Sequence, residues 1–325
     1  MISVLKRPEY SLYRHFLWAD LVEILALINL DKRCSKSDFI DRFFSSKKDL
    51  VDVNDEGESD LDEGRSISPL RTEHERCKEE AYKILEARSI RYGAKYPFRL
   101  IDNDVLEVVP DSDGLLIYAY LLFAAHTAVI DNRSIRSAIT SDFEIFSSKI
   151  LSNYLGQNAS VLTFGAGSGR FEIFSTGSIR EKFQFLCKEL NGEFSGKAED
   201  PTLDQTSGDR GLDIVAHFPF EDKQDGRLII FGQCKCSDVW SDSLFESSAS
   251  SLDFVRFKSE PVPAMFMPFC YRSNTGKWFE DSKVRKTILF DRFRLITFTN
   301  FDLSTALPKS FDLLSQLVNF QEPVV

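Results

Sequence analysis

Two short apolar runs separated by a polar link constrain the fold of this 325-residue chain more than any other feature. The first run, residues 214–216, follows Asp213, and the second, residues 228–231, ends shortly before Gln233 and Lys235. Runs this short, rich in β-branched residues and bounded by Gly and Asp, are typical of buried strands. The link between them contains Pro, Asp and Gly, which favour a turn. The sequence therefore predicts a β-hairpin.

The polar side chains at one end of this hairpin are compatible with two roles. Gln233 and Lys235 share a face, because residues two apart on a strand point the same way, and Asp213 starts the neighbouring strand. A partly buried salt bridge between Asp213 and Lys235 is one interpretation. The other is a metal site, since Mg²⁺ prefers oxygen ligands and is usually held by one or two carboxylates. A lysine beside such a metal can orient or deprotonate the attacking water.

The hairpin carries two short motifs, Asp-Arg-Gly-Leu-Asp at residues 209–213 and Gln-Cys-Lys at residues 233–235. Together they resemble the core of the PD-(D/E)xK nuclease superfamily. The resemblance is closest to the Mrr-like restriction endonuclease branch, in which Gln replaces the acidic residue of the (D/E)xK tripeptide. It covers residues 178–298 and implies that Asp213 and Gln233 bind the metal and that Lys235 is the catalytic lysine.

The same family carries a metal-binding Glu on the helix that precedes the hairpin. Here that helix is predicted at residues 178–192, and Gln184 stands where the family has its Glu. Glu181 lies one helical turn earlier on the same face, so we predict that it substitutes, with Glu189 as a second candidate. The predicted catalytic set is therefore Asp213, Gln233, Lys235 and Glu181. The predicted metal ligands are Asp213, Gln233 and Glu181, and the cofactor is Mg²⁺ or Mn²⁺.

The resemblance also implies a fold class and a function. The expected fold is α/β, a mixed-sheet restriction-endonuclease-like core with a mainly helical N-terminal domain. The expected function is a metal-dependent DNA endonuclease that hydrolyses phosphodiester bonds in bacterial defence against phage or foreign DNA. Such enzymes work with a protein partner subunit, such as an ATPase, or as homo-oligomers. The alternative is a catalytically inactive nuclease-fold scaffold or regulatory interaction protein, which Gln184 favours.

The net charge of −10 argues at first against a nucleic-acid partner. Seven of these ten excess negative charges, however, lie in residues 52–63, where no Lys or Arg occurs. The rest of the chain is nearly balanced and can carry a basic groove. A mixture of basic and aromatic residues suits phosphate contacts and base stacking, although a solvated loop has the same composition. The predicted nucleic-acid contacts are Arg210, Lys277, Arg285 and Lys286.

Composition and periodicity divide the chain into four predicted regions. These are a helical N-terminal unit (residues 1–50), an acidic flexible linker (51–70), an α+β accessory region (71–160) and a nuclease domain (161–325). Apolar periodicity predicts helices at residues 10–30, 37–44, 73–88, 115–129, 137–155, 237–257 and 310–318. A hairpin is predicted at 90–109, and strands at 263–271 and 294–299. The first helix pair is also found in winged-helix and other small DNA- or protein-binding units.

A strand followed by Gly-x-Gly-x-Gly at residues 165–169 resembles the phosphate- or methyl-donor-binding turn of Rossmann-like folds. No acidic residue closes a second strand at the expected distance, and residues 171–175 are predicted to be a strand. We therefore predict a tight hairpin turn here. A methyl-donor enzyme is a third hypothesis for the function.

Six scattered cysteines and four separated histidines show no zinc-ligand spacing. The first residues lack the apolar core of a secretory signal, and the longest apolar run, residues 114–130, is shorter than the ~20 residues that cross a bilayer. The sequence predicts reduced thiols in a cytoplasmic protein with no membrane partner.

Overall fold

The computed structural model describes residues 10–44, 69–164, 172–197, 200–206, 210–222, 224–244 and 252–319. The predicted acidic linker lies outside these residues, apart from its last two positions. The glycines at residues 165–169 and Asp209 also lie outside them.

The first described region combines three helices with a small antiparallel sheet. Its elements are α1 (His15–Ile28), β1 (Arg33–Ser35), α2 (Lys36–Phe44), α3 (Pro69–Tyr92), β2 (Phe98–Ile101) and β3 (Val105–Val108). The strand order is β1-β3-β2. Helix α2 begins where the Ser35 hydroxyl accepts a hydrogen bond from the Asp38 N–H at 3.1 Å. The predicted hairpin is confirmed, but it starts later than expected because α3 continues to Tyr92.

Two helices follow, α4 (Leu115–Ala125) and α5 (Arg133–Leu155), and both predictions are confirmed. Helix α4 is almost wholly buried. Asn132 caps α5, because its side-chain oxygen accepts from the N–H groups of Ser134 and Ile135 at 2.9 and 3.3 Å. Within the described residues, no helix has both the length and the apolar character needed to cross a bilayer.

The second half of the chain is built on a mixed sheet. It contributes β4 (Ser160–Thr163), α6 (Glu172–Thr176), α7 (Ile179–Leu190), β5 (Glu193–Phe194), β6 (Ile214–His217), β7 (Ile229–Cys234), β8 (Val255–Arg256), β9 (Val262–Phe266), β10 (Ile288–Phe290), α8 (Arg292–Thr297), α9 (Leu303–Ala306) and α10 (Phe311–Val318). Five strands form one sheet in the order β10-β9-β7-β6-β4, and β5 pairs with β8. Strand β6 is antiparallel to both β4 and β7, whereas β7, β9 and β10 run parallel to one another. The chain is thus α/β with a mixed sheet, and the predicted β6–β7 hairpin is confirmed.

Three local predictions are wrong. Residues 172–175 are helical and not a strand. Residues 294–297 also belong to a helix, because Asp291 caps it by accepting from the Arg294 N–H at 3.2 Å, and the strand lies earlier, at Ile288–Phe290. The helix predicted at 237–257 is replaced in its described part by a short 3₁₀ turn, Trp240–Ser243, and by strand β8.

The two faces of the sheet pack against different partners. Ile214, Ile230 and Phe266 belong to a large core shared with α1, α4 and α5. Val215 and Phe231 belong to a smaller core beneath α7. Gly232 lies where the layers are tightest, since a Cβ built there would lie 3.1 Å from both Ile214 and Phe266. The alternation of the hairpin therefore decides which side chains face α5 and which face α7.

A buried ionic network joins the start of the chain to its end. Asp20 and Glu23 of α1 and Arg88 of α3 are fully buried with Arg292 of α8. Arg292 donates to Asp20 at 2.7 and 3.0 Å and to Glu23 at 3.3 Å. Arg88 lies 2.7 Å from Asp20 and 2.8 Å from Glu23. These contacts cross the boundary predicted at residue 160, and the division into four regions stays a prediction.

Candidate active site

The strand directions gather several loop connections at one edge of the five-stranded sheet. Strand β6 begins at this edge, and β4 and β7 end there, since Thr163 pairs with Ile214 and Ile214 pairs with Gly232. Strands β9 and β10 end at the same edge because they run parallel to β7. Asp213, which precedes β6, therefore lies beside Cys234, the last residue of β7. The predicted site residues of the hairpin meet at this edge.

The Asp213 carboxylate completes the hydrogen bonding of the hairpin end. The Asp213 N–H donates to the Gly232 carbonyl at 3.0 Å, and the Asp213 side-chain Oδ2 accepts from the Cys234 N–H at 2.6 Å. Successive N–H groups of a strand point to opposite neighbours, and the Lys235 N–H already donates to Phe266 of β9 at 2.9 Å. The Cys234 N–H thus points past the start of β6, where the carboxylate receives it. This contact holds Asp213 against Cys234, the residue before Lys235. Asp213 itself is only 7% exposed.

Gln233 and Lys235 lie on the other side of the strand from Cys234. Gln233 is only 1% exposed and continues the face of Phe231, which packs beneath α7. Cys234 and Cys236 pack against the larger core on the α5 side, so alternation directs the half-buried Lys235 to the side of Gln233. Strand alternation thus places the Gln233 amide and the Lys235 amine on one face of the strand, as the sequence predicts.

Helix α5 brings another carboxylate, that of Glu144, to the same edge. Burial raises the pKa of the Cys236 thiol, and the negative charges of Glu144 and Asp213 raise it further. Burial also raises the pKa of the Cys234 thiol, with Asp213 and Glu144 adding to the effect and the neighbouring Ser147 hydroxyl opposing it. Glu144 lies three residues before Ser147, about 4.5 Å along the helix axis. Its charge therefore acts on the two thiols that flank Lys235, from the α5 side of the sheet.

Glu144 was missed by sequence reasoning. It belongs to a helix whose inward residues include Phe143, Phe146 and Ser147, and it is itself half-buried. A carboxylate within an inward-facing stripe is unusual, because a buried charge needs compensation. That pattern was the signal available in the sequence, but it does not identify Cys236, 92 positions away, as a neighbour of Glu144.

The predicted ligand Glu181 has a different local role. Its carboxylate accepts from the Ser178 N–H at 2.8 Å and from the Ser178 hydroxyl at 3.0 Å, and these contacts form a capping box at the start of α7. The hydrogen bonds from Ser178 lower the pKa of Glu181. Glu181, Gln184 and Glu189 are all exposed on α7. Glu181 as a metal ligand stays a prediction.

The predicted nucleic-acid contacts are spread over the molecule. Arg210, with a φ of +57°, lies just before Asp213, and its guanidinium donates to the Thr202 hydroxyl. Arg285 and Lys286 are exposed and precede β10, so they lie at the edge of the sheet opposite to Asp213. Lys277 is exposed beside Trp278. Of these four residues, only Arg210 lies close in sequence to Asp213 and the end of the hairpin.

The donor set at the edge is chemically suited to a hard cation. In the part of the chain that the structure describes, no three His, Cys, Asp or Glu side chains form a group that could hold a metal ion. Mg²⁺ does not need such a group, because it retains several waters and is commonly held by one or two carboxylates. The carboxylate of Asp213 and the amide of Gln233 supply oxygen atoms of that kind. The residues present therefore fit Mg²⁺ or Mn²⁺ better than zinc.

Comparison with known proteins adds no assignment, since no protein-family model, curated protein or solved structure matches this chain.

Proposed function

We propose that this chain is a Mg²⁺-dependent DNA endonuclease with a restriction-endonuclease-like core of the PD-(D/E)xK type. The observation that carries the proposal is the buried Asp213 carboxylate, bonded to the Cys234 N–H at 2.6 Å, directly beside the point where Lys235 leaves β7. Residues with a carboxylate, an amide and an amine then lie at one end of the β6–β7 hairpin. In a bacterial cell this activity would serve defence against phage or foreign DNA, with a protein partner such as an ATPase subunit.

Each side chain has a distinct role in the proposed reaction. Asp213 and Gln233 would hold the metal, with Glu144 or Glu181 as the candidate third ligand, and the metal when bound polarises the scissile phosphate and lowers the pKa of a water. The Lys235 ammonium would orient that water and offset charge on the phosphate. The water oxygen forms a bond to phosphorus, one bridging P–O bond breaks, and the departing oxygen takes a proton. The water's own proton passes to solvent or to a basic group at the site.

The reaction is tested by incubating supercoiled plasmid with the protein and Mg²⁺ or Mn²⁺. Asp213→Asn and Lys235→Ala should each lower the cleavage rate by about 100-fold or more, because each removes a group that acts on the reacting phosphate. Matched controls are Asp225→Asn, an exposed acid in the loop of the same hairpin, and Lys188→Ala, an exposed lysine of α7. Equal cleavage by all five proteins would refute the assignment.

Two conservative variants decide whether Glu144 or Glu181 is the third metal ligand. If Glu144 binds the metal, Glu144→Gln should raise the Mg²⁺ concentration needed for half-maximal cleavage at least tenfold. Glu181→Gln should then leave that concentration within about twofold, since Glu181 caps α7. The reverse result would restore Glu181 as the ligand and remove Glu144.

A second candidate is a nuclease-fold scaffold or regulatory interaction protein without cleavage activity. Gln184 in place of the family's Glu and the commitment of Glu181 to a helix cap favour it. Under this alternative the wild-type protein cuts neither plasmid nor linear DNA with Mg²⁺ or Mn²⁺. Metal-dependent cutting that disappears in Asp213→Asn would exclude it.

A further inference from the structure

A single arginine ties the start of the chain to the segment that follows the proposed catalytic lysine. Arg14, immediately before α1, donates from Nη1 to the Asp238 carboxylate at 2.5 Å and from Nη2 to the Asp238 carbonyl at 2.7 Å. The two side chains are 25% and 31% exposed. One guanidinium therefore fixes both the side chain and the backbone of Asp238, which lies three residues after Lys235. Planar donors used in this way restrict geometry more than a single ion pair does.

The segment held by Arg14 is short and anchored at both ends. On one side, the Lys235 N–H is bonded to Phe266 and the Cys234 N–H to Asp213. On the other side, Trp240 is buried and packs edge-on against Tyr271, with ring centroids 5.0 Å apart. Arg14 contacts the middle of this span. The four residues between Lys235 and Trp240 thus have little room to move while the Arg14 contact persists.

The contact between Trp240 and Tyr271, which anchors the far end of the segment, also involves helix α1. Tyr271 packs edge-on against Phe16 of α1 at 5.3 Å, and Phe16 lies 4.9 Å from Phe279. The Arg14 guanidinium itself lies over the Phe16 ring at 5.5 Å. Residues 14–16 therefore contact the site segment both through hydrogen bonds and through aromatic packing.

We infer that Arg14 is a positioning residue, which makes the N-terminal helical unit part of the active site. It acts through Asp238 on the backbone that follows Lys235, and so sets where the ammonium lies relative to Asp213. This inference rests on the proposed nuclease function for its catalytic consequence. The mechanical part, the restraint of residues 235–240 by Arg14, does not depend on catalysis.

The mechanical part is tested by amide hydrogen exchange. Arg14→Gln should raise exchange in peptides covering residues 233–240 by about tenfold, because it removes both hydrogen bonds to Asp238. Asp238→Asn should produce a smaller rise, since the contact to the Asp238 carbonyl remains. The matched control is Arg33→Gln, which removes a comparable arginine–carboxylate pair, to Glu107 of β3, and should leave this segment unchanged. If Arg14→Gln does not fold, Arg14→Lys retains the charge and should still raise exchange.

The catalytic part is tested on the same proteins with the plasmid assay. Arg14→Gln should lower kcat by about tenfold with KM nearly unchanged, because the lysine is misplaced while the DNA-binding surface is intact. Arg33→Gln should match wild type. Exchange and kcat that both stay within twofold of wild type in Arg14→Gln, Arg14→Lys and Asp238→Asn would overturn the inference. Wild-type protein that never cuts DNA overturns the proposed function alone, and the exchange result then still decides the role of Arg14.

Discussion

Two groups of buried acids, one around Asp20 and one at Asp213, have different hydrogen-bond partners. In the network around Asp20 and Glu23, guanidinium groups of Arg88 and Arg292 approach each acid to between 2.7 and 3.3 Å. At the sheet edge, the bond to Asp213 comes from the main-chain N–H of Cys234. An acid already matched by two guanidinium groups has little electrostatic gain from a cation in solution. The backbone amide that donates to Asp213 carries no net charge of its own.

The contrast explains why the deeper group is structural and the edge group is the functional candidate. The Asp20 network lies wholly inside the core and includes hydrogen bonds from the Tyr96 and Tyr118 hydroxyls to Glu23 at 2.7 and 2.8 Å. The edge group lies where strands end and loops begin, which is where water and a ligand have access. Four measurements separate the two groups.

The largest effect is expected from Arg292→Met. This change leaves Asp20 and Glu23 buried with one guanidinium fewer, and removing one partner of a buried ion pair costs about 3–5 kcal/mol. Urea denaturation of the variant gives the loss in free energy of unfolding, with the exposed Arg285→Met as the matched control. A loss below about 1 kcal/mol would show that the network is dispensable.

A smaller loss is expected at the sheet itself. Gly232→Ala places a methyl group 3.1 Å from Ile214 and Phe266, and overpacking of this kind costs about 1–3 kcal/mol. The same change displaces the strand that carries Gln233, so affinity for Mg²⁺ should fall with stability. Gly226→Ala is not a suitable control because Gly226 has a φ of +84°. Ser243→Ala, in the turn after Trp240, provides one.

Acid titration should report the deep network. Burial alone would raise the pKa of Asp20, but the positive charges of Arg292 and Arg88 outweigh it and hold that pKa well below its usual range. A depressed folded-state pKa contributes stability that is fully present above the unfolded pKa of about 4 and is lost as pH falls below it. The free energy of unfolding should then fall by up to about 1.4 kcal/mol per pH unit from this residue. Arg292→Met should show a shallower fall, and an identical slope in both proteins would contradict the assignment.

The smallest stability change is expected for Asp213→Asn. The asparagine oxygen can still accept from the Cys234 N–H, so the free energy of unfolding should change by less than about 1 kcal/mol. If the proposed site binds Mg²⁺, millimolar Mg²⁺ should raise the Tm of wild type and not that of the variant, since a neutral amide binds the cation poorly. Differential scanning calorimetry with and without Mg²⁺ makes this measurement. A Mg²⁺ effect of equal size in both proteins would place the metal elsewhere.

The hairpin and most helices were predictable because their signals are local. Residues 214–216 and 228–231 are short β-branched runs with a turn between them, and each residue needs only its neighbours to specify a strand. The run Leu295-Ile296-Thr297 has the same composition, yet it is helical because the Asp291 cap precedes it. Local capping therefore outweighed strand propensity there. The motif at the hairpin also predicted the placement of Asp213 beside residues 233–235.

The features that the sequence did not predict depend on contacts between distant parts of the chain. Glu144 approaches the hairpin only because α5 packs across the sheet, and no spacing rule relates residue 144 to residue 236. The pairing of Arg292 with Asp20 spans 272 positions. Arg14 and Asp238 are 224 positions apart. Such partners become visible only when the core is assembled, since burial and not periodicity brings them together.

The buried Arg292 has a consequence for how the polypeptide reaches its final form. Its carboxylate partners belong to the first helix, and Arg292 itself lies near the other end of the chain. During synthesis, Asp20 and Glu23 emerge long before the arginine that balances them, and until then they are matched by Arg88 alone. We therefore expect the first hundred residues to stay loosely packed on the ribosome and to consolidate only when α8 arrives.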